Sequence, residues 1–576
     1  MRVRTRSIVA GAIACALAAA APSASVGAAS PRSSGGLTLR LTVEAGHQAV
    51  DGAGGNGTPF QADTTIEPSI AVNPANPQEI VTGFQTGRDD AGGGVDNGFA
   101  TSHDGGRTWV TGAMPGVTAA TGNAAWPRAS DAVVAWGPGE TVYYSSLVFD
   151  PSGLNLRSGV VNSTSHDGGL TWDAPTVVQD DLGGGLNDKN WEVVDDSHAA
   201  GHHFGRLYVV WDRVAGVFTK YSDDGGVTWK PPSPVIVPLT YQGQGIGSIP
   251  LVEPNGDLVV LFQSETAPPP VTEVGEDLGS AITGMTQMVA ARAPGAGALP
   301  TGAPIVFVPG VSAATYEGNV IRGQRAGGLL DARTDPTTGR IYLVWEDSRF
   351  RTDPNNDVVI AHSDDEGLTW SAPSRVNGGP TGDEVDHYDP SVAVGPGKEV
   401  RVMWRQRQEN ATANVATYAS YVSTWVARSA DGTTFSAPLR VDAGTNDVRF
   451  AAYSRGGAFQ GDYDQIVTVG DTSYLTYCDS WAAGSAAPGT PGDTTVHHQR
   501  TMVSIIGPAA AVPATSGGTS GRTKKPQKHP STPPTVHAVG SLAATGLPRG
   551  LALLGLACTV IALAVLRRRR SPAEPH

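Results

Sequence analysis

The chain has 576 residues, with 40 Lys and Arg against 54 Asp and Glu, a formal net charge of -14 at pH 7. That acidic balance excludes a basic nucleic-acid-binding face as the principal surface. Cysteine is confined to Cys15, Cys478 and Cys558, so stability has to come from a packed core rather than from crosslinks, which a chain this long permits.

Residues 1–29 carry Arg2, Arg4 and Arg6, an apolar run from Ile8 to Ala21, and small residues ending Val26-Gly27-Ala28-Ala29. This is the pattern of a secretory signal peptide cleaved near Ala28 or Ala29. Gly36 to Val43 then alternates polar and apolar residues ahead of the first repeat, as an outer strand added to the last repeat would. Repeat one runs from Ile66-Glu67-Pro68-Ser69-Ile70-Ala71-Val72 through Ile80 to Phe84. Its period-2 pattern is that of half-buried strands. Repeat two holds Asp131 to Trp136 and Val142 to Tyr144, and repeat three Trp191 to Asp195 and Leu207 to Trp211. Repeat four, from Ile246 to about Val308, keeps the strands Leu258–Phe262 and Gln287–Ala291. In repeat five Gly339-Arg340-Ile341-Tyr342-Leu343-Val344-Trp345 echoes Gly205-Arg206-Leu207-Tyr208-Val209-Val210-Trp211. In repeat six Asp389-Pro390-Ser391-Val392-Ala393-Val394 echoes the start of repeat one. Repeat seven runs from Asp462-Tyr463-Asp464 to about Ile506. Such echoes mark an internal repeat.

One octet closes most repeats. It stands at Ser102, Asp104, Gly106 and Trp109; at Ser165, Asp167, Gly169 and Trp172; at Ser222, Asp224, Gly226 and Trp229; and at Ser363, Asp365, Gly367 and Trp370, with an eroded copy from Ser429 to Phe435. Ser and Asp oxygens that satisfy loop N-H groups, and a Gly that accepts positive φ, are turn chemistry, so these Asp residues are expected to be structural. The pattern S-x-D-x-G-x-T-W resembles the Asp-box (BNR) repeat of the sialidase superfamily. The resemblance implies an all-β chain folded as a β-propeller of four-stranded antiparallel blades over 30–507. The spacing of the boxes, with a double gap between 222 and 363, gives seven blades; six is the alternative, as in classical sialidases. Because boxes sit on the outer edge of such propellers, the resemblance implies a fold and leaves the activity open.

From Pro508 to Ser541 the composition turns to Pro, Thr, Ser, Gly and Ala, which cannot bury a core and is expected to form an extended, disordered stalk. Leu542-Ala543-Ala544-Thr545-Gly546, an apolar run over 550–566 and Arg567 to Arg570 follow. The run is long enough for a short membrane span with the arginines inside. This tail, 542–576, resembles a sortase cell-wall sorting signal of the Leu-Ala-x-Thr-Gly type. It implies cleavage between Thr545 and Gly546, with sortase and a cell-wall precursor as partners. A plain membrane anchor is the alternative, and either places the propeller outside the cell.

In a propeller the ligand sits over the central channel, near the starts of the innermost strands. Residues there include Glu67, Asp131, Asp188, Lys189, Asp386, Tyr388, Asp389, Asp462 and Tyr463, an acidic funnel. The acids that repeat (Glu67, Asp131, Asp389) are expected to be architectural, and Arg128, Lys189, Arg325, Arg333, Tyr388 and Tyr463 break the symmetry. A sialidase needs three arginines on the sialate carboxylate, an Asp for acid/base work and a Tyr nucleophile with its Glu. Arg128, Arg325 and Arg333 are the candidates for the clamp; Tyr463, Glu67 and Asp131 are those for catalysis. The chain departs from the family where its first inner strand carries Glu67-Pro68-Ser69 in place of Arg-Ile-Pro, and a carboxylate there repels another. No cofactor is expected. The Asp353 to Asp357 loop lacks the glycine and the twelfth-place Glu of a calcium loop. His198, His202 and His203 lie on a loop with no paired acid expected, and calcium at Asp180, Asp181 and Asp188 is the remaining metal reading. The expected function is recognition of an extracellular glycan or other surface ligand through the funnel, read by aromatics such as Tyr241, Tyr388 and Tyr463. A glycoside hydrolase of sialidase or other exo-acting type, and a protein-binding scaffold, are the alternatives.

Overall fold

A computed structural model describes residues 32–47, 60–89, 92–150, 157–181, 187–213, 216–230, 243–266, 284–293, 305–315, 324–325, 328–353, 355–408, 421–444, 446–454, 457–481 and 498–508. The chain divides into a unit spanning Met1–Ala511 and a second spanning Val512–His576. The signal peptide, nearly all of the stalk and the sorting tail with its apolar run lie outside the described residues, as do Tyr241 and the side chain of Arg325. The described residues form strands and short 3-10 turns, with no α-helix among them.

After β1 (Ser33–Ser34) and β2 (Leu37–Gly46) the strands run as antiparallel meanders. The first is β3 (Gln61–Val72), β4 (Ile80–Arg88), β5 (Gly94–Ser102) and β6 (Val110–Ala113). The second is β7 (Arg128–Trp136), β8 (Val142–Asp150), β9 (Arg157–Ser165) and β10 (Thr176–Asp181). The third is β11 (Asn187–Val194), β12 (Leu207–Arg213) and β13 (Gly216–Ser222), with a bridge from Tyr221 to Lys230 in place of a fourth strand. The fourth is β14 (Gly243–Val252), β15 (Leu258–Thr266), β16 (Gly284–Ala293) and β17 (Ile305–Thr315). After β18 (Gln324–Arg325) comes the fifth, β19 (Asp331–Thr334), β20 (Ile341–Asp347), β21 (Asp357–Ser363) and β22 (Ser374–Arg375). The sixth is β23 (Val385–Val394), β24 (Val400–Gln408), β25 (Val422–Ser429) and β26 (Leu439–Arg440). β27 (Ala452–Ser454) and β28 (Gly457–Phe459) precede the last meander, β29 (Gln465–Val469), β30 (Thr472–Ser480) and β31 (Gln499–Pro508).

β2, expected from the sequence as an outer strand, pairs antiparallel along β31 from Leu37 with Pro508 to Gly46 with Thr501. The two ends of the folded unit therefore share one sheet. The first strand of each meander packs on the first strand of the next, β3 on β7, β7 on β11, β11 on β14, β14 on β19, β19 on β23, β23 on β29, and β29 back on β3. Those seven strands close a ring.

The apolar faces of neighbouring meanders meet in separate clusters: Ala71, Val81 and Phe99 with Val134 and Tyr144; Tyr342, Val358 and Ile360 with Val402 and Trp404; Leu39 and Ile506 with Met403 and Val426. The tryptophans of the internal echo, Trp211 and Trp345, are fully buried, as is Trp404 at the matching place in β24.

The octets join the third strand of a meander to its outer edge. In the third copy Ser222 Oγ donates to Asp224 Oδ1 at 2.7 Å and accepts from Gly226 N at 2.9 Å. Asp224 in turn accepts from Thr228 N at 2.8 Å and Thr228 Oγ1 at 2.5 Å. Gly225 and Gly226 have φ of 73° and 84°, the region glycine occupies without strain. The eroded copy keeps the same core, with Ser429 Oγ donating to Asp431 at 2.8 Å and Thr434 N donating to it at 2.8 Å.

Candidate functional site

Each inner strand of the first four meanders and the sixth breaks its pairing register near its start: between Ile66 and Ser69, Ser130 and Val133, Asp188 and Trp191, Ile246 and Ile249, and Tyr388 and Ser391. A bulge of this kind needs one residue with positive φ, commonly glycine. The fourth meander uses Gly247, but the others use Glu67 (φ 54°), Asp131 (45°), Lys189 (42°) and Asp389 (48°). A side chain in the left-handed region is unfavourable by roughly 1–2 kcal/mol. Four charged residues hold that conformation where glycine would be easier.

Carboxylates of one meander cap the bulge N-H of the next. Asp131 Oδ2 accepts from Lys189 N at 3.2 Å, Asp212 Oδ2 from Gly247 N at 2.6 Å, and Glu346 Oε1 from Asp389 N at 3.0 Å. Asp331 accepts from Ser391 Oγ at 2.6 Å and Val392 N at 3.0 Å. These acids lock the ring, in keeping with the architectural reading of Asp131.

The bulges also turn side chains into the centre. Lys189, Trp191, Asp331, Asp389, Asp462 and Tyr463 line a cavity there. The Lys189 ammonium lies 3.7 Å from the centre of the Trp191 ring and 4.0 Å from that of Tyr463. The two rings meet edge to face at 5.5 Å. Gly461, at φ 133°, packs on Glu67: a Cβ there would lie 3.1 Å from Glu67 N. That close approach lets the segment carrying Asp462 and Tyr463 reach the centre. Gln85 Nε2 donates to Glu67 Oε2 at 3.2 Å and to Ser130 Oγ at 2.8 Å. The Tyr463 hydroxyl and Asp389 Oδ1 are buried and have no hydrogen-bond partner among the described residues.

Burial and crowding set the electrostatics. Burial, then repulsion from Glu67, pushes Asp131 up to about 7 against the pull of Lys189. Burial, then Asp386, raises Glu346 to about 8, and burial with Glu346, Asp464 and Asp462 holds Asp389 well above the ordinary carboxylate range. Asp464 rises to about 7 through burial despite Arg405. Burial lowers Lys189 to about 8, opposed by Asp131, Asp212, Asp331 and Glu67. The Tyr463 phenol is pushed far up by burial and by Asp131 and Glu67, so it is neutral. The centre therefore holds both neutral carboxyls, which donate hydrogen bonds, and carboxylates, which accept them.

Of the residues expected at the funnel, Glu67, Asp131, Lys189, Asp389, Asp462 and Tyr463 come together. Arg128 does not: it pairs with Asp89 at 2.7 Å and donates to Gly92 O at 3.0 Å. Arg333 folds back on its own strand, to Asp331 at 3.2 Å and Ala332 O at 2.8 Å. The expected arginine clamp is therefore not built from these two. Arg325 contributes its backbone to β18, which pairs parallel with β28. Tyr388 is 1 % exposed and packs with Val422, Val448 and Ala451, so it is a core residue and not a shallow aromatic. Asp188 is exposed and accepts from Lys189 N at 2.9 Å, and Asp386 accepts from Asn356 N at 2.7 Å. Neither lines the cavity. The sequence reading missed Trp191, Asp331, Glu346 and Asp464; for Trp191 the bulge between Asp188 and Trp191 breaks the alternation that would have grouped it with Lys189.

Several of the candidate metal ligands are held in ion pairs. Arg351 binds Asp353 at 2.6 Å, Asp357 at 3.1 Å and Asp383 at 2.9 Å. Asp180 pairs with Arg157 at 2.6 Å. His202 has an acid after all, Asp195 at 2.7 Å. Among the described residues no group of three or more His, Cys, Asp and Glu is arranged to hold a metal ion.

A family model described as the BNR/Asp-box repeat matches residues 220–231, the third octet with its flanks. No curated protein matches the chain. Among solved structures, a protein of unknown function from Dyadobacter fermentans is 12% identical with a TM-score of 0.41, covering 82% of this chain and 100% of that one. An alpha-L-arabinanase of Penicillium chrysogenum complexed with arabinobiose is 10% identical with a TM-score of 0.39, covering 70% and 99%. The NanB sialidase of Streptococcus pneumoniae is 11% identical with a TM-score of 0.37, covering 68% and 70%. The chain carries a BNR/Asp-box repeat.

Proposed function

We propose that the protein is a cell-surface β-propeller of sialidase type, its seven meanders the blades, and that it recognises an extracellular glycan in its central ring. One observation carries this reading: carboxyl groups, a lysine and two aromatic rings converge on a single cavity from the starts of the inner strands. Sugars are held by hydrogen bonds from such polar groups to their hydroxyls and by aromatic faces under their C-H surfaces. The signal peptide and the Leu542, Thr545 and Gly546 sorting motif support export and display. The ion pairs and strand contacts that occupy Arg128 and Arg333 favour a sugar without a carboxylate, because an anionic sugar calls for forked guanidinium contacts.

A second reading rests on Asp131. A carboxyl raised to about 7 beside a second carboxylate, Glu67, is the environment of a glycosidase acid and its partner. A glycan array followed by a panel of fluorogenic glycosides separates the two. Binding without turnover supports recognition. Turnover that disappears in Asp131→Asn assigns hydrolysis instead, and neither binding nor turnover removes the glycan reading altogether.

A further inference from the structure

The glycan reading leaves the sugar open, and the central cavity narrows it. Asp331, Asp389, Asp462 and Asp464 line it, with Lys189 as its cation. Two polar groups there are more than nine-tenths buried and have no hydrogen-bond partner among the described residues: Asp389 Oδ1, on a residue 6 % exposed, and the Tyr463 hydroxyl, on a residue 7 % exposed. A buried polar atom left without a partner is unfavourable by about 1–3 kcal/mol, and a carboxyl oxygen and a phenol oxygen both accept, so both atoms are open to a ligand that donates.

Resting on the glycan reading above, we propose that the cavity receives the protonated amino group of a sugar that lies over its mouth, the ammonium held against Asp389 and Tyr463. An ammonium has three donors and no acceptor, which matches two unfilled acceptors in a carboxylate-lined space. Burial and the neighbouring Glu346, Asp464 and Asp462, opposed by Arg405, hold Asp389 well above the ordinary carboxylate range in the empty site. A cation entering among these groups relieves that repulsion, whereas a carboxylate-bearing sugar adds to it. An N-acetylated amine carries no charge, so the same group separates a deacetylated glycan from its acetylated form.

The test uses the purified protein, a glucosamine tetrasaccharide, the N-acetylglucosamine tetrasaccharide and sialyllactose, with affinities measured by calorimetry. Asp389→Asn keeps a residue that tolerates the left-handed backbone of position 389, and Tyr463→Phe is a second, independent probe. Asp173→Asn, on an exposed surface carboxylate paired with His166, controls for general attraction of a cation to an acidic protein. The expected result is binding of the glucosamine oligomer about tenfold or more tighter than its acetylated counterpart, weakened in Asp389→Asn and Tyr463→Phe and unchanged in Asp173→Asn. Equal affinity for both oligomers, preference for sialyllactose, or affinity unchanged in both cavity variants overturns the amine reading while leaving a glycan site. No binding of any of the three sugars, nor of any on the array, overturns both.

Discussion

The Asp-box aspartates are half-buried or exposed, and the hydrogen bonds of the loop lower all five below the usual carboxylate range. In Asp224 burial, the largest single effect, is outweighed by the hydrogen bonds from Thr228 and Ser222 and by Lys230, which together bring it down to about 2. Asp224→Ala removes acceptors for Thr228 N and Thr228 Oγ1 and is expected to lower stability by about 1–2 kcal/mol, read by denaturant unfolding. Ligand binding should not change, because the loop lies at the outer edge of its meander. Asp131 is the opposite case. Above 3.8 the unfolded chain releases a proton that the folded chain keeps up to about 7, and above that the fold must hold a buried charge beside Glu67, so Asp131→Asn is expected to stabilise the fold by roughly 1–3 kcal/mol or more near pH 8 and by nearly nothing below about pH 4. Unfolding of the two proteins at both pH values checks it; equal effects at both would contradict the burial of a charge. The octet was plain in the sequence because turn chemistry is local. The destination of Tyr388 was not, since a tyrosine beside an inner strand faces the channel or the core according to a one-residue bulge, and a bulge leaves no reliable mark when its left-handed residue is Asp instead of Gly.

At the scale of elements, the closing strand was legible: Gly36 to Val43 alternates cleanly and precedes the first repeat. Its observed pairing with β31 makes the fold depend on both chain ends at once. Leu39 is 4 % exposed and packs with Ile506 and Met403. Leu39→Ala is expected to destabilise the whole unit by about 2–5 kcal/mol. Calorimetry should show one transition moved to lower temperature; a separate early transition would mean that β2 frays independently of the ring. The inner strands were legible as strands, with Glu67 and Asp131 at the expected starts. The arginine clamp was not excluded by the sequence, because only the fold brings Asp89 to Arg128 and turns Arg333 back onto Asp331. Asp89 is distant from Arg128 in sequence and carries no local signal, and although Asp331 stands two residues from Arg333, nothing local says whether that pair closes.

Across the whole molecule, buried carboxyls set the response to pH. Asp96, Asp131 and Asp464 rise from 3.8 to about 7, Asp479 from 3.8 to about 8, and Glu346 from 4.5 to about 8. Burial is the largest cause in each. A carboxyl raised on folding contributes stability that is full below its ordinary value and is lost as pH rises through the folded value. His387, lowered by burial from 6.5 to about 4, works the other way and removes stability as pH falls through that window. Lys189, lowered from 10.5 to about 8, changes stability only between those values, raising it as pH increases. The melting temperature is therefore expected to fall as pH rises from about 4 to about 8, with His387 opposing the fall below about 6.5, by differential scanning calorimetry. A flat profile would mean that the central acids are solvated.

The central claim is that recognition takes place in the ring formed by the starts of the inner strands. It is tested most directly by titrating the glycan selected on the array against the wild-type protein, Asp462→Asn and the outer-edge variant Asp224→Ala. Asp462→Asn is expected to weaken binding by about tenfold or more while Asp224→Ala leaves it unchanged. Binding lost in Asp224→Ala and kept in Asp462→Asn would place recognition on the outer edge and contradict the account.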